Sequence, residues 1–81
     1  MGKLIKLKPN YIIEDDVDNV LTLVHKVSRF LIRIGYDETP ALTATELVKY
    51  SSEEIIGILK AYVNISDGNV TIDDIIKNSR L

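Results

Sequence analysis

Lys26, Arg29 and Arg33 stand three and four residues apart. On a helix turning 100° per residue, that spacing gathers three cations on one side, an arrangement able to hold a phosphate. The same residues also meet a plainer need. Glu14, Asp15 and Asp16 open the helix and the bases come late in it, the order that complements a helix macrodipole at about 0.3 to 1 kcal/mol per charge. The spacing therefore predicts no more than weak, salt-sensitive contact with nucleic acid, shared with Lys3, Lys6 and Lys8 of the basic start MGKLIKLKPN. His25 is the single histidine, and no second His, Cys or clustered carboxylate lies at ligand spacing in its helix. It reads as a boundary residue, not a metal ligand or general base. Asp15-Asp16 and Asp73-Asp74 sit where helix starts attract negative charge. Asp16-Val17-Asp18 does not continue into the glycine and terminal glutamate of a calcium loop. With no Gly-rich phosphate loop, no nucleophile elbow and no cysteine, the chain is expected to be non-enzymatic, with no catalytic residue, metal or cofactor.

The elements that must position these residues fit one domain. A chain of 81 residues, 46% of them hydrophobic, has room for a single core and buries only about 60% of its unfolded surface. Twelve acidic against ten basic residues give a formal charge of -2, which argues against coating nucleic acid as a main task. Residues 1–13 read as a basic arm or edge strand; their start, MGKLIKLKPN, carries no apolar run of signal-peptide or membrane-span length, and Lys6 stands where a myristoylation signal wants Ser or Thr. A complete, cytoplasmic chain with no membrane partner is the expectation, and the sequons at Asn64 and Asn69 then have no role. Twelve isoleucines, no glutamine and one methionine fit a protein working at high temperature.

Residues 3–8 mix apolar and basic side chains as a short edge strand or an arm, with Pro9 ending any pairing. From Asp15 to Ile34 the period is helical, and the apolar residues from Val17 to Ile34, Leu21 and Ile32 among them, fill an arc of roughly 200°, so this helix should be central. Gly35 is its left-handed stop. Beyond Thr39-Pro40, Thr43 with Glu46 and Ser51 with Glu54 are two capping boxes. Carried through without a break, Leu47, Val48, Ile55, Ile58, Leu59 and Tyr62 share one face. The phase therefore predicts one long helix over 43–65 in preference to two with a turn at Tyr50-Ser51-Ser52. Asp67-Gly68 is either the tip of a β-hairpin or the loop before a last helix capped by Thr71 with Asp74 at its third position, and Val70 and Ile75 as a hydrophobic staple. The helix has the greater number of agreeing positions. The fold class expected is mainly α, a compact three- or four-helix domain behind a short N-terminal strand or arm; the alternative is a winged-helix-like βαααββ order.

A long helix, a loop and a final helix beginning Ile72-Asp73-Asp74-Ile75 resemble the second half of a histone fold, which would imply a dimerisation module. The first helix is nearly twice the length that family needs, and the basic DNA-holding loops are missing. The run from Asn69 to Lys77 is similar to the last helix of an acyl carrier protein. That family's prosthetic-group serine has no counterpart in Ala41-Leu42-Thr43.

Contact with another protein is the function class left. On a continuous long helix Ile56 and Val63 fall outside the main apolar arc and Tyr50 adds an apolar body with a polar tip on the other flank. These three residues are the expected partner-binding surface, for a larger protein or for a second copy. Size, isoleucine-rich composition and lack of chemistry together resemble the small accessory subunits that crenarchaeal machines, such as the B-family DNA polymerase holoenzyme, attach to their catalytic chain. That resemblance implies an accessory role in replication. A winged-helix or helix-turn-helix regulator is the alternative, although Glu53 and Glu54 would face the phosphates from its recognition helix.

Overall fold

The computed structural model describes residues 8–36 and 44–79. Among them the order is β1 (Asn10–Ile12), α1 (Val20–Arg33), α2 (Ala44–Lys49), α3 (Ser52–Lys60), β2 (Asn64–Ser66) and α4 (Ile72–Ser79). The domain is mainly helical, with a two-stranded parallel sheet at its N-terminal side. The expected strand over 3–8 lies outside the described residues except for Lys8, and the strand that forms begins after Pro9. Proline has no N–H to donate, but its carbonyl still accepts from Asn64 N at 2.8 Å, so Pro9 opens the pairing instead of ending it. Tyr11 and Ile13 turn into the core while Asn10 and Ile12 face outward, the two-residue period of a strand. Asn10 pairs with Asn64, Tyr11 with Ile65 and Ile12 with Ser66.

The first helix starts later than the apolar pattern suggests. Asn19 accepts from Thr22 N at 3.0 Å and is the N-cap, so Glu14, Asp15 and Asp16 lie in the preceding loop and the first turn carries no acid. The buried face of α1 is Val20, Leu23, Val24, Val27 and Leu31, an arc near 100° that packs on α3 and α4. Leu21, Ile32 and Ile34 are left exposed. A second donor at the helix start is taken from far away: Val20 N donates to Ser79 Oγ at 2.8 Å, and that hydroxyl donates to Ile75 O at 2.7 Å. At the other end Gly35 has φ +84°, Gly35 N donates to Ile32 O and Tyr36 N to Leu31 O. This is the double hydrogen-bond pattern of a Schellman stop, with Tyr36 packed back on the core.

The single long helix over 43–65 does not form. Ser51 accepts from Glu54 N at 3.2 Å while Glu54 accepts from Ser51 N at 2.9 Å, a capping box that ends α2 and starts α3. As a mid-helix residue Ser51 would have needed a carbonyl partner one turn back; as a cap its hydroxyl and N–H are both used. Thr39, Pro40 and Thr43 lie outside the described residues. The capping box expected at Thr71 is present, with Asp74 N donating to Thr71 Oγ1 at 3.1 Å and Thr71 N to Asp74 Oδ2 at 3.2 Å. Asp67 adds a third acceptor, for Ile72 N at 2.9 Å. The hairpin is therefore not made: among the described residues β2 pairs with β1 alone, and neither the winged-helix order nor the long central helix of the histone likeness occurs there. Val70 lies at a bend, not in an extended bridge.

Gly68 is required by space. A Cβ there would stand 2.6 Å from Ile13 O and 3.2 Å from Ile12 Cγ2, so backbone would have to move. Gly68→Ala is expected to cost about 1 to 3 kcal/mol, and Ser51→Ala and Thr71→Ala about 0.5 to 2 kcal/mol each, as measured by urea melts. A neutral or stabilising Gly68→Ala, the result for an ordinary loop glycine, would contradict the close approach of this turn to β1.

Candidate functional site

Of the side chains proposed to meet a partner, two are in the core. Ile56 is 4% exposed and Val63 0%, so neither presents a second face. The reason is the break at Ser51. Once α3 is a separate helix, Ile55, Ile56 and Leu59 form its buried stripe. Val63 lies just beyond the end of α3, where its N–H still reaches Leu59 O one turn back and so keeps it on the same buried side as Ile56. Tyr50 is 37% exposed at the end of α2. The exposed neighbour that periodicity misplaced is Val48, at 86%, which a continuous helix would have carried into the core.

The cationic row is more informative. Lys3 and Lys6 lie outside the described residues. Lys8 donates its Nζ to Lys60 O at 2.9 Å, where it satisfies a carbonyl at the end of α3. Lys26 is claimed by two acids, with Nζ 2.6 Å from Asp16 Oδ2 and 3.2 Å from Glu14 Oε2. The hydrogen bond to Lys26 holds the Asp16 carboxyl below the usual carboxylate range, and Asp16, then Glu14, push the Lys26 ammonium up. Arg29 and Arg33 make no ion pair with any described residue. The three cations of the helix thus divide into one that anchors the Glu14–Asp16 loop and two that face solvent one turn, about 6 Å, apart.

These residues bound a polar cleft of about 350 Å³ lined by Glu14, His25, Lys26, Arg29, Phe30 and Arg33. Phe30 meets Tyr11 edge-on at a centroid distance of 5.3 Å and 62°, which fixes this wall of the cleft to β1. His25 is exposed and makes no hydrogen bond to a described residue. Ile32 is 66% exposed between the two arginines and shares a shallow depression with them. The pattern reading had placed Ile32 in the apolar arc. On α1 it lies about 20° from Leu21, also exposed, and away from the Val20–Leu31 stripe.

Chemically the cleft offers two guanidinium groups that pair with no described acid, an imidazole and an apolar edge. Guanidinium groups recognise carboxylates or phosphates through paired N–H donors. Among the described residues no group of three metal-ligating side chains occurs, and no helix is long and apolar enough to cross a membrane. Comparison with known protein families, curated proteins and solved structures finds no match to the chain.

Beneath the cleft, the Tyr11 hydroxyl is buried with no hydrogen-bond partner among the described residues. Burial, reinforced by the negative charge of Glu14, pushes its pKa from 10.0 up to about 12. The folded chain favours the neutral phenol, so this contribution to stability is complete below pH 10 and is lost as pH rises through about 12. Tyr11→Phe removes an unpaired buried hydroxyl and is expected to raise stability by about 1 kcal/mol at neutral pH. It should also flatten the loss of stability across that alkaline window. Urea melts of both proteins at a series of pH values test this; a destabilised Tyr11→Phe would mean that the hydroxyl has a partner.

Proposed function

We propose that this chain is a non-enzymatic accessory protein that acts by docking on a larger protein partner. One observation carries the reading: β-branched apolar side chains that the core does not need are held out from helices, Val48 almost fully exposed on α2 and Ile32 two-thirds exposed on α1. Such side chains are stiff at χ1 and lose little rotamer freedom when covered. Tyr50, exposed just past the end of α2, supplies an aromatic body of the kind common at interface centres. The core is assembled from Tyr11, Ile13, Val17, the α1 stripe, the α3 stripe, Val63 and Ile75, and makes no use of these residues.

The expected surface of Ile56 and Val63 is thereby replaced by Val48 with Tyr50, and by the exposed end of α1. Within this reading the protein works in the cytoplasm, a reducing compartment that a chain without cysteine fits. The likeness in size and composition to accessory subunits of crenarchaeal replication machinery makes a DNA polymerase complex the first partner class to test. A second copy of the chain is the other occupant to exclude.

Val48→Lys is expected to leave stability within about 0.5 kcal/mol of the parent, since the position is exposed, and to lose the partner, because an interface core tolerates an unpaired charge poorly. The measurement pairs a thermal melt with capture by the tagged chain in its native host and a solution mass for the chain alone. A parent that captures nothing would remove the accessory reading, and a parent that is a stable dimer dissociated by Val48→Lys would replace it with self-association.

A further inference from the structure

The end of α1 combines cationic and apolar surface in one place, where Arg29, Ile32 and Arg33 share a depression. Arg29 and Arg33 are free of ion pairs to any described residue, whereas Lys26 is committed to Glu14 and Asp16. Ile32 stands between the arginines, largely exposed, and Ile34 follows it at the Schellman stop, also exposed. We propose that this surface receives an acidic helical segment of a protein partner, with two carboxylates on Arg29 and Arg33 and an apolar side chain laid on Ile32. The proposal rests on the accessory reading above and names the chemistry of the partner.

Spacing and charge carry the choice of occupant. Arg29 and Arg33 are one helical turn apart, about 6 Å in rise, which is also the separation of carboxylates four residues apart on a partner helix. Each guanidinium offers a planar fork that matches a carboxylate bidentately. A polyphosphate is matched less well. Nucleic-acid affinity comes from neutralising many phosphates, yet the third cation of this row is already neutralised, Glu14 lines the same cleft and the chain carries a net charge of -2. Ile32 would also gain nothing from a phosphate backbone, while an apolar side chain of a protein segment would cover it. In this arrangement the arginines orient the segment and speed encounter, and the apolar contact holds it.

The test uses the whole chain, isotope-labelled, with short helical peptides of three compositions: leucine with glutamate, leucine with glutamine, and leucine with lysine. A short DNA duplex is the fourth probe. The leucine–glutamate peptide is expected to shift the Nε–H signals of Arg29 and Arg33 and the Ile32 methyl signals, saturably. Its affinity should fall on the order of tenfold in an Arg29→Glu, Arg33→Glu double variant, about one power of ten in the equilibrium constant. That same variant should gain the leucine–lysine peptide. Ile32→Ser, which keeps both arginines, should weaken the peptide without changing which probe is preferred. Both variants alter exposed positions, and a thermal melt confirms that they fold. Equal binding of the leucine–glutamine peptide would reduce the site to general apolar adhesion and overturn the proposal. Preference for the duplex would turn it into a polyanion site, and absence of any saturable shift would remove it. If the double variant still captures the native partner while Val48→Lys does not, docking runs through α2: the acidic-segment inference fails and the accessory reading stands.

Discussion

Everything in this fold follows from pairing Asn10–Ile12 with Asn64–Ser66 in parallel. Two three-residue strands have no independent stability, and a parallel pair cannot be closed by a tight turn, so the chain between them must make a crossover. The crossover is α1, α2 and α3, and its contents have to cover the inward side chains of the pair. Tyr11 does this by meeting Phe30 of α1 edge-on, and Val63 by sealing the path from α3 into β2. A slip of one residue in the pairing would send Ile12 inward and Tyr11 out, and the turn at Gly68 allows no slack, since it lies against Ile13 O and Ile12. The last helix is then launched from a position already fixed.

Local chemistry was legible in the sequence wherever a side chain serves the backbone beside it. Gly35, the Thr71–Asp74 box and the choice of a last helix over a hairpin all stand on contacts between residues within a few positions of one another. Ser51 with Glu54 was equally legible, and periodicity argued against it: six residues of α2 and nine of α3 happened to share a phase. A cap that satisfies two backbone groups outweighs phase agreement between short helices, and Ile56 and Val48 changed sides as a result. The parallel partner of residues 10–12 lies 54 positions away, and no property of either strand names the other. Nor does composition tell which cation of the α1 row is free; that is decided by a loop folding back so that Glu14 and Asp16 reach Lys26.

That loop divides the electrostatics of α1 in two. An exposed pair such as Asp16 with Lys26 adds little to stability, yet it decides what the surface can recognise. With Lys26 neutralised, the row presents two charges beside an isoleucine instead of a continuous basic stripe, and the difference is that between a surface for a shaped acidic partner and one for any polyanion. The charge that is withdrawn matters as much as the two that remain.

The hydrogen bond from Val20 N to Ser79 Oγ spans 59 residues, and it bears on how the protein is made. A ribosome delivers α1 early and Ser79 among the last residues of the described chain. Until then the start of α1 lacks one of its acceptors, β1 has no partner strand, and the Val20–Leu31 stripe waits for α3 and α4 to cover it. Domains usually fold as units during synthesis, in the order in which they emerge; here the emerging chain has no native half to settle into. Folding waits until α4 has emerged, its rate is set by distant contacts despite the helical content, and a copy still lacking α3 and α4 displays the apolar stripe that the folded domain conceals.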